Sequence, residues 1–145
     1  MRTERIVAAA GAMLLLTVVT GCAAGIGPEL QYAGAPEGVE IDDGAPQAFF
    51  SSDGAGITIV VWGSGSCPAR PERMSVDQGA SSGNVVRVTV AERPEGEACT
   101  ADLAPYTTTF PTPSEVTTAE PLTVLLGDSE TVMVDAVGEE GDRKS

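Results

Sequence analysis

The 145-residue chain carries 8 Lys and Arg against 21 Asp and Glu and contains no His, which gives a formal charge of −13. This length allows one small domain, and the acidic charge argues against nucleic acid as a partner because phosphates would be repelled. Hydrophobic residues make up 42% of the chain, too many for wholly disordered protein, whereas aromatic residues make up 4%. We therefore expect a folded core of aliphatic side chains.

The first segment has the pattern of an export signal. Arg2 and Arg5 precede an uncharged run over residues 6–19, as in the basic and apolar regions of a signal peptide. The run is shorter than the roughly 20 apolar residues of a permanent membrane helix. It ends in Val-Thr-Gly-Cys at residues 19–22, which resembles the lipobox of bacterial lipoproteins. The resemblance implies removal of residues 1–21 by cleavage between Gly21 and Cys22, and a diacylglycerol on the Cys22 thiol.

Acylation of Cys22 predicts where the protein is located. Two acyl chains anchor a protein stably, whereas a single chain binds only marginally. We therefore expect a lipid-anchored protein on the extracytoplasmic face of the cell membrane, with the membrane as a partner through the anchor. Two other interpretations stay open, namely an uncleaved anchor helix and an ordinary secretory signal with an incidental cysteine.

Acylation also leaves an even pair of cysteines. With Cys22 removed from the three, Cys67 and Cys99 remain in a chain that matures in a disulfide-permissive compartment. We expect these two residues to form a disulfide. In the chain-entropy model, a loop of this length gives a stabilisation of about 3 to 4 kcal/mol.

Residues 22–46 are rich in Ala, Gly and Pro and show no sustained periodicity. We predict a flexible acidic linker here, with an r.m.s. span of about 25 to 30 Å that holds the domain clear of the headgroups. The alternative is that Val39 and Ile41 belong to an edge strand.

From residue 47 to residue 138 the pattern changes to short β-favouring runs separated by turn residues. In one run, Val86, Val88 and Val90 alternate with Arg87 and Thr89, as in a strand with one face in a core. The predicted strands cover residues 49–50, 57–62, 73–76, 85–91, 106–110, 122–126 and 131–137. Six to seven short antiparallel strands indicate an all-β fold, and we favour a small β-sandwich over an open barrel. Residues 139–145 are predicted to be a disordered tail.

Two segments of this predicted domain carry a second resemblance. Residues 60–68 read VVWGSGSCP and residues 99–113 read CTADLAPYTTTFPTP. They are similar to a group of uncharacterised small actinobacterial lipoproteins, which pair a Trp-Gly-Ser-x-Ser-Cys-Pro segment with a later Cys-Thr-Ala-Asp-Leu segment. The resemblance supports the pairing of Cys67 with Cys99 and implies no activity.

The absence of His excludes Ser-His-Asp and Cys-His catalysis and His-ligated metal sites. We therefore expect a protein that is not an enzyme and that has no cofactor and no metal. Paired carboxylates keep a cell-wall hydrolase open as a minor alternative, and acidic loops keep a calcium site open. The residues concerned are Asp42 with Asp43 and Glu95 with Glu97 for hydrolysis, and Asp53, Asp128 and Glu130 for calcium.

A non-enzymatic binding or envelope-accessory module is the function that these features favour. Trp62, Tyr106 and Phe110 are the candidate binding surface, with packing in the core as the plainer interpretation of Trp62. The expected partner is an envelope protein or a cell-wall ligand. A structural surface component without a ligand is the alternative. The threonines at 107–109 and 117–118 lie among prolines, so they are either candidate O-glycosylation sites or solvent-facing strand residues.

Overall fold

The computed structural model describes residues 25–91 and 93–138, and they form a β-sandwich of two four-stranded sheets. The all-β prediction is therefore confirmed. The predicted signal peptide, Gly21, Cys22 and the tail lie outside the described residues. The strands are β1 (Leu30–Ala33), β2 (Gln47–Phe50), β3 (Gly56–Gly63), β4 (Pro71–Gln78), β5 (Val85–Val90), β6 (Ala104–Pro111), β7 (Leu122–Leu126) and β8 (Glu130–Val134), with a short 3-10 turn at Ala80–Ser82.

The two sheets differ in how their strands run. The first sheet has the order β1-β6-β3-β2 and is antiparallel throughout. The second has the order β4-β5-β7-β8, and its central pair, β5 and β7, is parallel. The expectation of antiparallel strands fails at this pair. Between β5 and β7 the chain makes β6 in the opposite sheet, so it returns to the second sheet in its original direction.

The core lies between the sheets and is made by alternating side chains. On β5, Val86 and Val88 are fully buried while Arg87 and Thr89 are exposed, as the period of two predicts. Ile57 and Ile59 of β3 contribute from the other sheet. The remaining buried members of the core are Phe50, Val61, Met74, Tyr106, Phe110, Val116, Leu122, Val124, Leu126 and Val134.

The outer face of the first sheet is also partly covered. Val60 and Thr107 are register partners on this face, and both are almost completely buried. Since β1 and β2 lie at opposite edges of the sheet, residues 34–46 must cross from one edge to the other. We call them the crossing segment. At its start, Thr107 Oγ1 donates a hydrogen bond of 2.6 Å to the Gly34 carbonyl.

The predicted flexible linker is wrong over residues 25–33, which pair with strands of both sheets. The backbone groups of Ile26 and Met74 exchange two hydrogen bonds of 2.6 and 2.9 Å. The next residues form β1, which pairs along β6. Val39 and Ile41 lie in the crossing segment outside any strand. Residues 25–33 give no periodic signal in the sequence because their backbone hydrogen-bond partners belong to β4 and β6, which are far away in sequence.

The sandwich has two edges of different construction. The N-terminal edge is formed by β1 and β4, and residues 26–33 pass there from β4 of the second sheet to β6 of the first. Across this edge, Gln31 Nε2 donates a hydrogen bond of 2.7 Å to the Pro71 carbonyl. At the opposite edge, β2 and β8 are neighbours with Cα atoms within 8 Å. Among the described residues, no strand ladder joins these two strands.

Candidate functional site

The β2/β8 edge contains a groove with a volume of about 960 Å³. Its walls come from β2, from β8 with the residues that follow it, and from the crossing segment. The groove is therefore built from three parts of the chain that are distant in sequence.

Apolar residues alternate along both edge strands that line the groove. On β8, Val132 and Val134 pack against the core, so that Met133 between them points outward. On β2, Phe50 is buried in the core and Phe49 lies half-buried on the opposite face. Val134 and Phe50 thus fix the two edge strands in the core. The adjacent Met133 and Phe49 lie on the outer faces of their two sheets, where Met133 Sδ accepts a hydrogen bond of 3.3 Å from Thr123 Oγ1, and both are among the residues that line the groove.

Exposed apolar side chains are concentrated in this groove. Val39, Met133 and Val137 line it and are 37%, 58% and 40% exposed. In the described part of the chain, the other exposed large hydrophobic residues are Leu30 and Leu103, which lie outside the groove. Three of the exposed large hydrophobic residues thus line one groove rather than being scattered singly over the surface.

The charges around the groove are acidic. Glu40 and Asp135 line it. Within residues 25–91 and 93–138, the basic side chains all lie in β4, in β5 or in the loops next to these strands. They are Arg70, Arg73, Arg87 and Arg93. The described residues that line the groove therefore include two carboxylate side chains and no basic side chain.

A second, smaller pocket of about 370 Å³ lies beside the disulfide. Cys67 and Cys99 are bonded, with their Cα atoms 5.5 Å apart, so the predicted pairing is confirmed. Arg70 and Glu97 are among the lining residues, and the Arg70 guanidinium lies 5.7 Å from the centroid of the Tyr106 ring. Because both charges are present in the lining, this pocket has less preference for one sign of ligand.

Beside the disulfide, a hydroxyl cluster joins the two segments that carry the family resemblance. Thr100 Oγ1 donates to the Asp102 carboxylate, and the Gly65 amide donates to the same oxygen at 3.1 Å. In turn, the Thr100 amide donates to Ser66 Oγ at 2.9 Å. The Thr100 hydroxyl and, after it, the Gly65 amide lower the pKa of Asp102 below its usual value. These contacts hold the two loops together at the disulfide.

The aromatic surface predicted from the sequence is not formed. Phe110 is 0% exposed and Tyr106 is 9% exposed, and both belong to the core. Trp62 faces the other side of the first sheet opposite Pro105 and is half-buried. Its Nε1 is buried and has no hydrogen-bond partner among the described residues. The error arises because Tyr106 and Phe110 share the inward-facing register of β6, which pairs them with Val61 and Ile57.

The acidic candidates are spread over separate turns. Asp42 and Asp43 lie exposed in the crossing segment, and Glu95 is exposed in the loop that leads to Glu97. Within the described ranges, no group of three or more possible metal ligands occurs.

Asp53 shapes the turn between β2 and β3. It accepts hydrogen bonds from Ser51 Oγ at 2.6 Å and from the Ala55 amide at 3.0 Å. These two bonds, the Ser51 bond first, lower the pKa of Asp53. Asp128 and Glu130 belong to the β7–β8 turn region and are exposed.

The threonine candidates for glycosylation are mostly covered. Thr107 and Thr108 are buried within β6, so their hydroxyls are not accessible to a modifying enzyme in the folded domain. Thr109, Thr117 and Thr118 are half-buried.

Asn84 is a structural residue that the sequence analysis missed. It is buried with a positive φ of 54°. Its Nδ2 donates to the carbonyls of Thr117 and Pro121 at 2.9 and 3.1 Å, and its Oδ1 accepts from the Thr117 amide at 2.9 Å. Asn84 thereby holds the loop between β6 and β7. This loop contacts the groove lining, because the Thr118 carbonyl accepts a hydrogen bond of 2.8 Å from the Val137 amide. The Gly83-Asn84 pair at the end of a turn is the signal that points to this conformation.

Residues 25–91 and 93–138 contain no helix with the length and apolar character needed to cross a bilayer. Comparison of the chain with protein-family models, curated proteins and solved structures gives no match.

Proposed function

We propose that this chain is a lipid-anchored extracytoplasmic protein that works by binding rather than by catalysis, and that the β2/β8 groove is its ligand site. The observation that carries the proposal is the concentration of exposed Val39, Met133 and Val137 in a single groove. Support for the anchor comes from the sequence, where the apolar run ends at Gly21-Cys22.

The ligand we propose is an extended segment of a partner protein of the cell envelope, with apolar side chains on one face and basic side chains on the other. In an extended chain, successive side chains point to opposite faces. The apolar face of the peptide would therefore fill the groove, while its basic face would remain beside Glu40 and Asp135 of the groove lining. The formal charge of −13 favours a basic partner over an acidic one.

A synthetic peptide tests the ligand class directly. We would titrate the 15N-labelled protein with acetyl-Lys-Val-Lys-Val-Lys-Val-Lys-amide and follow amide chemical shifts. We expect shifts centred on the β2 residues 47–50 and on residues 132–138, because these residues line the groove. The same peptide with Glu in place of Lys is the charge control, and we expect it to bind at least several-fold more weakly.

A pair of matched variants tests the site. Met133→Gln keeps the length of an exposed side chain in the groove and removes its apolar character, and Leu103→Gln makes a comparable change outside the groove. We expect weaker binding of the Lys peptide by the first variant and unchanged binding by the second. Equal effects of the two substitutions, or equal binding of both peptides, would contradict the proposed ligand site.

If neither peptide shifts the resonances of the groove residues, the result supports the alternative function, a structural surface component without a ligand. Acylation of Cys22 is tested separately by intact mass spectrometry of the membrane fraction. A mature chain that begins at Cys22 and carries acyl groups is the expected result, and a full-length unmodified chain would contradict the anchor.

A further inference from the structure

We infer that the folded domain sits directly on the membrane surface by its N-terminal edge, and that the β2/β8 groove faces away from the bilayer. This inference rests on the proposed acylation of Cys22. It adds the interaction surface of the domain with phospholipid headgroups and the direction in which the ligand site points.

The first step is the shortness of the connection. Cys22 is only three residues before Gly25, and three residues span at most about 10 Å in any conformation. A flexible linker over residues 22–46 would instead have spanned about 25 to 30 Å. The anchor therefore leaves the domain no room to move clear of the headgroups.

The second step is that the chain is fixed in the sandwich as soon as its described part begins. A Cβ added to Gly25 would lie 2.9 Å from the Met74 carbonyl oxygen, which shows how closely this residue approaches β4. Ile26 then exchanges its two backbone hydrogen bonds with Met74, and the Glu29 amide donates to the Thr109 carbonyl at 2.8 Å. Residues 25–33 thus add no further length to the tether.

The third step is the position of the groove. The N-terminal chain runs along β4 and β6 at one edge of the sandwich, and β2 and β8 form the opposite edge. Neighbouring strands are about 4.8 Å apart, so the two edge strands of a four-stranded sheet are separated by about 14 Å. A domain attached at the N-terminal edge accordingly presents the groove on its far side.

The distribution of charge is consistent with this orientation. Arg73, on β4, lies next to Gly25. Arg87, on β5, forms an ion pair of 3.5 Å with Asp77. Glu29 is bonded through its amide to β6 just before β1, and Glu72 lies on β4, so the N-terminal edge has mixed charge. The groove side has no described basic residue. Repulsion of the acidic chain by anionic headgroups is therefore weaker at the N-terminal edge than at the groove.

Paramagnetic relaxation from the bilayer tests the orientation. The full acylated chain, labelled with 15N, would be placed in phospholipid nanodiscs that contain a small fraction of lipid with a gadolinium chelate on its headgroup. We expect strong broadening of the amides of residues 26–31 and 72–75, and at least several-fold less broadening at residues 47–50 and 132–137. Relaxation falls with the sixth power of distance, so a difference of about 14 Å is readily detected.

A lengthened tether is the matched control. Insertion of 20 Gly and Ser residues between Ala24 and Gly25 leaves the described fold intact and should remove most of the broadening at residues 26–31 and 72–75. Uniform broadening, or broadening strongest at the groove, in the acylated chain would overturn the inference while leaving the anchor established. Mass spectrometry of the same sample separates this result from a failure of acylation, which would contradict the proposed function itself.

Discussion

The two edges of the sandwich are made from the same kind of strand and are completed in different ways. At the N-terminal edge, residues 25–33 join β4 of one sheet to β6 of the other, and the Gln31 side chain contacts Pro71 across the gap. At the β2/β8 edge, the chain instead leaves an apolar groove with acidic residues in its lining. If the groove binds a ligand as proposed, stability and binding are assigned to opposite sides of this small domain.

The largest expected effect comes from deletion of residues 25–33. The loss of the β1 ladder and of the Ile26 bonds exposes the edge of β6 and reduces cover of the core. We expect a loss of about 4 kcal/mol or more in the free energy of unfolding, measured by urea denaturation against a chain that begins at Ala23. Equal free energies of unfolding for the two chains would contradict this role and would support a flexible linker over residues 25–33.

The disulfide should have the next largest effect. Cys67 follows β3 and Cys99 precedes β6, so the bond links two of the three strand connections by which the chain crosses between sheets, β3–β4 and β5–β6. Replacement of both cysteines by Ser should lower the free energy of unfolding by about 3 to 4 kcal/mol for a separation of 32 residues. The unreduced parent and the parent under a phosphine reductant are the two controls. A double variant as stable as the unreduced parent would contradict the expectation.

Asn84 tests how the groove side is held. Asn84→Ala removes the bonds to Thr117 and Pro121 and leaves their polar groups buried, so we expect a loss of about 2 to 3 kcal/mol. Hydrogen exchange should also become faster at the Val137 amide, whose acceptor Thr118 lies in the same loop. Asn84→Gly loses the same bonds but accommodates the positive φ of 54°. It should therefore be the less unstable of the two variants, and the reverse order would argue against this account.

The hydroxyl cluster should produce a smaller effect that depends on pH. Hydrogen bonds from Thr100 and Gly65 lower the folded-state pKa of Asp102 from 3.8. The ionised Asp102 carboxylate therefore stabilises the folded state fully at pH values above its pKa in the unfolded chain. This stabilisation is lost as the pH falls through its lower pKa in the folded chain. We expect Asp102→Asn to reduce the fall in Tm between pH 5 and about pH 2.5, and Thr100→Val to act in the same direction. An unchanged acid limb in both variants would contradict this role.

The smallest effect on stability is expected in the groove itself. Met133 is 58% exposed, so Met133→Gln should change the free energy of unfolding by no more than about 0.5 kcal/mol. Val134, the next residue of β8, is buried in the core, and Val134→Ala should cost about 1 to 3 kcal/mol. Urea denaturation of both variants measures the contrast. A large loss at Met133 would mean that the residue supports the fold rather than a ligand.

The sequence predicted best those strands whose burial follows a local alternation. Val86 and Val88 on β5 are buried as expected, and the pairing of β7 with β8 follows from two runs separated by a short turn. The pairing of Cys67 with Cys99 was likewise predictable from the number of cysteines. In each case, the relevant information lies within a few residues or in a simple count.

The missed features depend on partners distant in sequence. Leu30–Ala33 becomes a strand because β6 offers it an edge about 75 residues later, and no local pattern announces that contact. Tyr106 and Phe110 resembled an exposed aromatic pair, although their register on β6 turns both into the core. The groove was not predictable either, since Val39, Phe49 and Val137 come to line one groove only after both sheets have formed.

For a chain that is exported as proposed, the pairing of β1 with β6 sets an order of folding. In that export the N-terminal residues would leave the membrane pore first, yet their strand partner, β6, ends at Pro111. Until that residue emerges, the leading chain would have no complete ladder to join, whereas the local hairpin of β2 with β3 could already form. For most of translocation, the residues nearest the acyl group would be open to chaperones and proteases, and their late closure would mark the completed domain as ready for its place on the bilayer.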